Sequence, residues 1–90
     1  MSKYLVTYDI ENGNTNDYDA VNSQIEKSFP KNCKILTTTY VFSTANSVDM
    51  KVLRTKIEKS TSKNVRTIIV GIDGYSWRVE NGECLKKYLT

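Results

Sequence analysis

Tyr4-Leu-Val-Thr-Tyr-Asp-Ile10 opens the chain with a run of strong β propensity. Its alternation places Tyr4, Val6, Tyr8 and Ile10 on one face, and Leu5, Thr7 and Asp9 on the other. After it, Glu11-Asn-Gly-Asn-Thr-Asn-Asp17 is polar and rich in turn formers, a loop. That loop supplies a helix start, with Asn16 as N-cap and Asp17 and Asp19 complementing the helix dipole. Tyr18, Val21, Ile25 and Phe29 then recur at helical spacing, and Pro30 closes the helix.

The segment from Cys33 to Thr44 is dense in Ile, Thr, Tyr, Val and Phe, which predicts one long strand, or two with a bend near Thr37-Thr-Thr39. Asn46 or Ser47 caps a second helix, with Met50, Leu53 and Ile57 as its buried stripe. Thr61-Ser-Lys-Asn64 breaks that helix. Val65 to Asp73 is the clearest strand, expected to turn Ile68, Val70 and Ile72 toward the helices and Thr67, Ile69, Gly71 and Asp73 away. Asp73-Gly74 is a hairpin signal. It leads into an edge strand from Tyr75 to Glu80, carrying Tyr75 and Trp77. Asn81-Gly82 turns again, and Glu83 to Leu89 forms a short helix. The order gives an α+β fold, a single ferredoxin-like βαββαβ domain over residues 1–90, with a C-terminal edge strand and short helix and with both main helices on one sheet face.

A chain of 90 residues with 39% hydrophobic residues builds one modest core and no enclosed cavity. A site therefore belongs on an open face or between subunits. The half-apolar open face (Leu5, Ile69) and the aromatic edge point to a cover, and the expected cover is a second copy, making a homodimer. The formal charge is only +3, but from Lys51 to Arg66 there are six bases (Lys51, Arg54, Lys56, Lys59, Lys63, Arg66) against one acid, Glu58. The absence of histidine excludes Ser-His-Asp and Cys-His triads and imidazole zinc sites. Cys33 and Cys84 are isolated, not in CxxC spacing, and with no secretory leader they read as reduced structural thiols of a cytoplasmic protein. No apolar run approaches a membrane span.

Tyr4-Leu-Val-Thr-Tyr-Asp-Ile10 resembles the first strand of the CRISPR-associated Cas-two family. Thr39-Tyr-Val-Phe-Ser-Thr44 looks like that family's Val-Phe-Glu strand, and Ser47–Ser60 with Val65–Gly71 looks like its basic second helix and fourth strand. The chain is also similar to small relatives of that superfamily, including virulence-associated protein D toxins. The resemblance implies a ferredoxin-like homodimer. In it Asp9 and its symmetry mate hold a divalent metal, Mg²⁺, at the interface for endonuclease cleavage of RNA or DNA. Two positions depart from the pattern: Ser43 replaces the glutamate, and the acidic loop Glu11–Asp17 replaces a basic stretch. In the same family the integration role is structural and does not require the aspartate.

Each candidate has a functional and an ordinary reading. Asp9 is a Mg²⁺ ligand and catalytic residue, or a strand-end aspartate serving the next loop. Glu11, Asp17 and Asp73 complete an acidic site beside it, or belong to helix-start and turn chemistry. The bases from Lys51 to Arg66 track a nucleic-acid backbone, or form a solvated helix face with Arg54 and Glu58 paired at i, i+4. Tyr75 and Trp77 stack on bases, or fill a core or interface. Three functional classes follow: a metal-dependent nuclease, a non-catalytic nucleic-acid-binding dimer, and a protein-interaction module serving CRISPR adaptation, a toxin system or a mobile element.

Overall fold

Short polar side chains decide where the helices begin. Asn14 accepts the backbone N–H of Asp17, and the Asp17 carboxylate accepts the Asn14 N–H, both at 3.0 Å. This reciprocal box starts α1 (Thr15–Ser28) two residues before the expected cap at Asn16. The second helix, α2 (Met50–Glu58), is capped by Asp49, whose carboxylate accepts from the N–H groups of Lys51 and Val52. Asn46 and Ser47 therefore lie in the approach to the helix, and Met50, expected in the buried stripe, is exposed.

The structure is a computed structural model describing residues 2–73 and 82–89. Four strands, β1 (Ser2–Ile10), β2 (Asn32–Leu36), β3 (Thr39–Thr44) and β4 (Val65–Gly71), form one sheet in the order β2-β3-β1-β4. Every neighbouring pair is antiparallel. The long β-rich stretch is thus two strands turning at Thr37 and Thr38. A third helix, α3 (Gly82–Leu89), follows. This is an α+β fold compatible with a small ferredoxin-like domain. The expected hairpin at Gly74 and the strand carrying Tyr75 and Trp77 lie outside the described residues.

The two sheet faces are covered differently. On the inner face, Tyr4, Val6, Tyr8 and Ile10 of β1, Tyr40 and Phe42 of β3 and Val65 of β4 pack against Val21 and Ile25 of α1 and Leu53 and Ile57 of α2. Phe42 stacks between Tyr4 and Phe29, with ring centroids 5.4 and 4.0 Å away. Two buried phenols tie α1 to the sheet: Tyr8 donates to Asn22 Oδ1, and Tyr40 donates to Glu26 Oε2. Burial, followed by the nearby Tyr18, pushes the Tyr8 hydroxyl up to about 12, so it remains a donor.

β4 runs in the opposite phase to the one expected. Val6 faces Ile69, Tyr8 faces Thr67 and Ile10 faces Val65 across the ladder. Directly opposed residues share a face, so Val65 and Ile69 join the helix-covered core. Ile68 and Val70 are instead 62% and 46% exposed on the outer face. Ile68-Ile-Val70 is apolar at consecutive positions, so alternation alone does not choose its inner face. Pairing with β1 makes that choice.

On the outer face, Cys33, Val41 and Leu85 form a second, smaller cluster, with Leu5, Ile35, Ile72 and Cys84 around it. Here α3 lies against β2 and β3, and a Cys33–Cys84 disulfide fixes it there. The bridge corrects the expectation of two reduced thiols. Bridges of this kind belong mainly to oxidising compartments. No helix among the described residues is long and apolar enough to cross a membrane.

Candidate nucleic-acid interface

Antiparallel pairing sets Asp9 directly across from Arg66. The two form an ion pair, Arg66 Nη2 to Asp9 Oδ2, on the outer face at the end of β1. Tyr18 donates a long hydrogen bond of 3.5 Å to the other carboxylate oxygen. Both charged side chains are mostly exposed, 59% for Asp9 and 64% for Arg66, so the pair contributes little to stability. It does give Asp9 a cationic partner within its own chain.

The other acids do not gather around Asp9. Because β4 runs antiparallel to β1, Asp73 stands beyond the far end of the ladder, where Tyr4 faces Gly71. Seven residues of extended chain separate its position from Arg66, roughly 20 Å. Glu11 accepts from Asn64 Nδ2 at 3.2 Å. Asp17 is built into the α1 cap and accepts from Thr61 Oγ1 at 2.6 Å and Lys63 Nζ at 3.0 Å. The Thr61 hydroxyl first, then the Asn14 N–H and the Lys63 ammonium, hold its carboxyl at about 2. Among the described residues no group of three His, Cys, Asp or Glu side chains is placed to hold a metal. A Mg²⁺ site takes one or two carboxylates that are available to it. A single exposed carboxylate already carrying a guanidinium does not fit that requirement within one chain.

The six bases divide by the same geometry. Arg66 is paired with Asp9, and Lys63 bridges Asp17 and the Asn12 carbonyl, joining the β1–α1 and α2–β4 loops. Arg54 meets Glu58 at 3.7 Å, one helical turn on. Lys51, Lys56 and Lys59 have no acidic partner among the described residues. With Val52 and Thr55 they line an open groove along the exposed side of α2. From Lys51 to Lys59 the helix rises about 12 Å, and the positions of these residues fall within less than half of its circumference.

Sequence reasoning missed the outer-face cluster. The even cysteine count was its only signal, and spacing alone does not separate a bridge from two thiols. It takes the return of α3 over β2 to bring the Cα atoms of Cys33 and Cys84 to 5.9 Å. Ser43, in the place of the expected glutamate, is buried, and its Oγ has no hydrogen-bond partner among the described residues. No family model, curated protein or solved structure matches the chain.

Proposed function

We propose that this protein is a small, non-catalytic, dimeric nucleic-acid-binding module of Cas-two-like type, in which the α2 lysines contact backbone phosphates. The observation that carries the reading is the division of the bases. Arg54, Lys63 and Arg66 are spent on acids of the chain itself. Lys51, Lys56 and Lys59 line one exposed groove, with no acid paired to them among the described residues. Such a row attracts phosphate without reading sequence. The exposed Ile68 and Val70 beside the half-buried Leu5 support a second copy on the β1–β4 half of the outer face.

Binding of single-stranded RNA and of duplex DNA, measured against salt, tests the reading. Three phosphate contacts give a slope of about −2 to −3 in log K against log salt. Changing Lys51, Lys56 and Lys59 together to glutamate should abolish that slope and the binding. A wild-type protein that binds neither at low salt makes the row a solvated helix face.

One observation favours a nuclease as second reading. Asp9 shares its exposed face with Ile68 and Val70, so a two-fold contact across that face draws two Asp9 side chains toward each other. Mg²⁺-dependent cleavage that disappears in Asp9→Asn, with the fold intact, would establish it over the non-catalytic reading.

A further inference from the structure

Helix α2 packs on β4 with one flank, and a second open groove runs along that contact. Met50, Lys51 and Arg54 form its helix side, and Thr67, Ile68 and Ile69 its strand side. Lys51 also lines the lysine groove on the exposed side of the helix, so the two grooves meet at its side chain. Their chemistry differs. The lysine groove is edged by ammonium groups, whereas this one combines apolar walls with a guanidinium and a hydroxyl.

The hydroxyl is the group that lacks a partner. Standing opposite Tyr8 across the ladder, Thr67 belongs to the helix-covered face. Its Oγ1 is buried and has no hydrogen-bond partner among the described residues. Such a group has given up water without receiving a bond in return, which destabilises the free protein. A guest that brings a ring N–H or carbonyl into the groove supplies the missing bond. To reach Oγ1 it parts the side chains of the rim, and Met50, Lys51 and Arg54 are long unbranched chains with rotamers to spare. Arg54 meets Glu58 through Nε at 3.7 Å with half its side chain exposed. The guanidinium thus pairs along its edge and offers its flat face to a ring.

We infer that the α2–β4 groove receives one unpaired base of a single nucleic-acid strand whose backbone follows the α2 lysines. The inference rests on the nucleic-acid reading above and adds the substrate class, a strand without its complement. Lys51 holds the phosphate at the point where backbone and base diverge. Met50 and Ile68 flank the ring, Arg54 stacks on it, and Thr67 Oγ1 bonds its edge. A duplex offers the lysines the same phosphates, but its bases are paired and stacked, and extracting one carries a cost. A single strand has free base faces and edges to give.

Affinity for a single-stranded DNA oligonucleotide, and for the duplex formed with its complement, tests this at matched salt. The single strand should bind at least about tenfold tighter, because only the duplex has a base to extract. Thr67→Val keeps the shape of the side chain and removes the hydroxyl. It should weaken single-strand binding about fivefold, the worth of one hydrogen bond, and leave duplex binding unchanged. Its thermal midpoint should be equal or higher, since no internal bond is lost. Met50→Ala, at an exposed position, should also weaken the single strand alone. Equal affinity for strand and duplex overturns the inference and leaves the lysine row standing. A single-strand preference that survives both substitutions overturns it too, placing the base elsewhere. A lowered midpoint in Thr67→Val does the same, because the hydroxyl then serves the fold. Binding of neither nucleic acid removes the inference together with the reading beneath it.

Discussion

The two faces of this sheet are built from similar residues and stabilised in different ways. The inner face is closed by two helices whose stripes interlock with Tyr4, Val6, Tyr8, Tyr40 and Phe42, and its buried phenols find acceptors on α1. The outer face carries Leu5, Val41, Ile68 and Val70, and among the described residues its β2–β3 half is the part covered, by a short helix fastened through sulfur. Apolar content therefore does not tell a core from a surface here. The difference lies in how much helix lies opposite each face among the described residues.

The widest contrast comes from truncating one residue on each face. Phe42→Ala empties the centre of the inner core between Tyr4 and Phe29, and should cost about 3–5 kcal/mol in denaturant unfolding. A loss under 1 kcal/mol would mean that the inner face is not the stability-bearing one. Leu85→Ala on the outer face should cost less, about 2 kcal/mol. A cost equal to that of Phe42→Ala would make the two faces equal contributors to stability.

Acid titration sharpens the comparison at the rim of the inner face. Asp17 lies at about 2 when folded, against an ordinary value of 3.8. Its folded value is lowered, so its contribution is complete above the ordinary value and is lost as pH falls toward 2. In wild type the midpoint of thermal unfolding should fall over that window, and Asp17→Asn should flatten the fall. An unchanged profile would show that the Asn14–Asp17–Lys63 cluster does not tie the two loops in solution. The smallest expected effect is that of Ile68→Ser, within about 0.5 kcal/mol for the isolated chain, as for other exposed positions. The same substitution should abolish self-association in light scattering if a second copy covers the β1–β4 half. A dimer that survives it would place that contact elsewhere.

Much of the inner face was legible in the sequence. The alternation through Tyr4–Ile10, the helical spacing of Val21 and Ile25 and of Leu53 and Ile57, and the strong β propensity of Cys33–Thr44 are local patterns with local causes, and each produced the expected element. The ion pair of Arg54 with Glu58 was legible for the same reason, since i, i+4 spacing on a helix places two side chains together. The caps were misplaced by a few residues because Asn14, Asn16, Asn46, Ser47 and Asp49 all have capping chemistry. Backbone geometry alone selects among them.

What the sequence by itself determined was therefore the described strands and helices, their order, and the buried Val21, Ile25, Leu53 and Ile57 of the helical stripes. The tertiary structure alone decided three further things. It decided the phase of β4, because Ile68, Ile69 and Val70 satisfy either face until β1 fixes the register. It paired Asp9 with Arg66 and separated it from Asp73, because antiparallel strands bring opposite ends of the chain segments together. It also joined Cys33 to Cys84, since a contact between residues 51 apart in sequence leaves no local trace. Propensity and periodicity act over a few residues, whereas register, ion pairing across strands and bridging depend on how the chain returns upon itself.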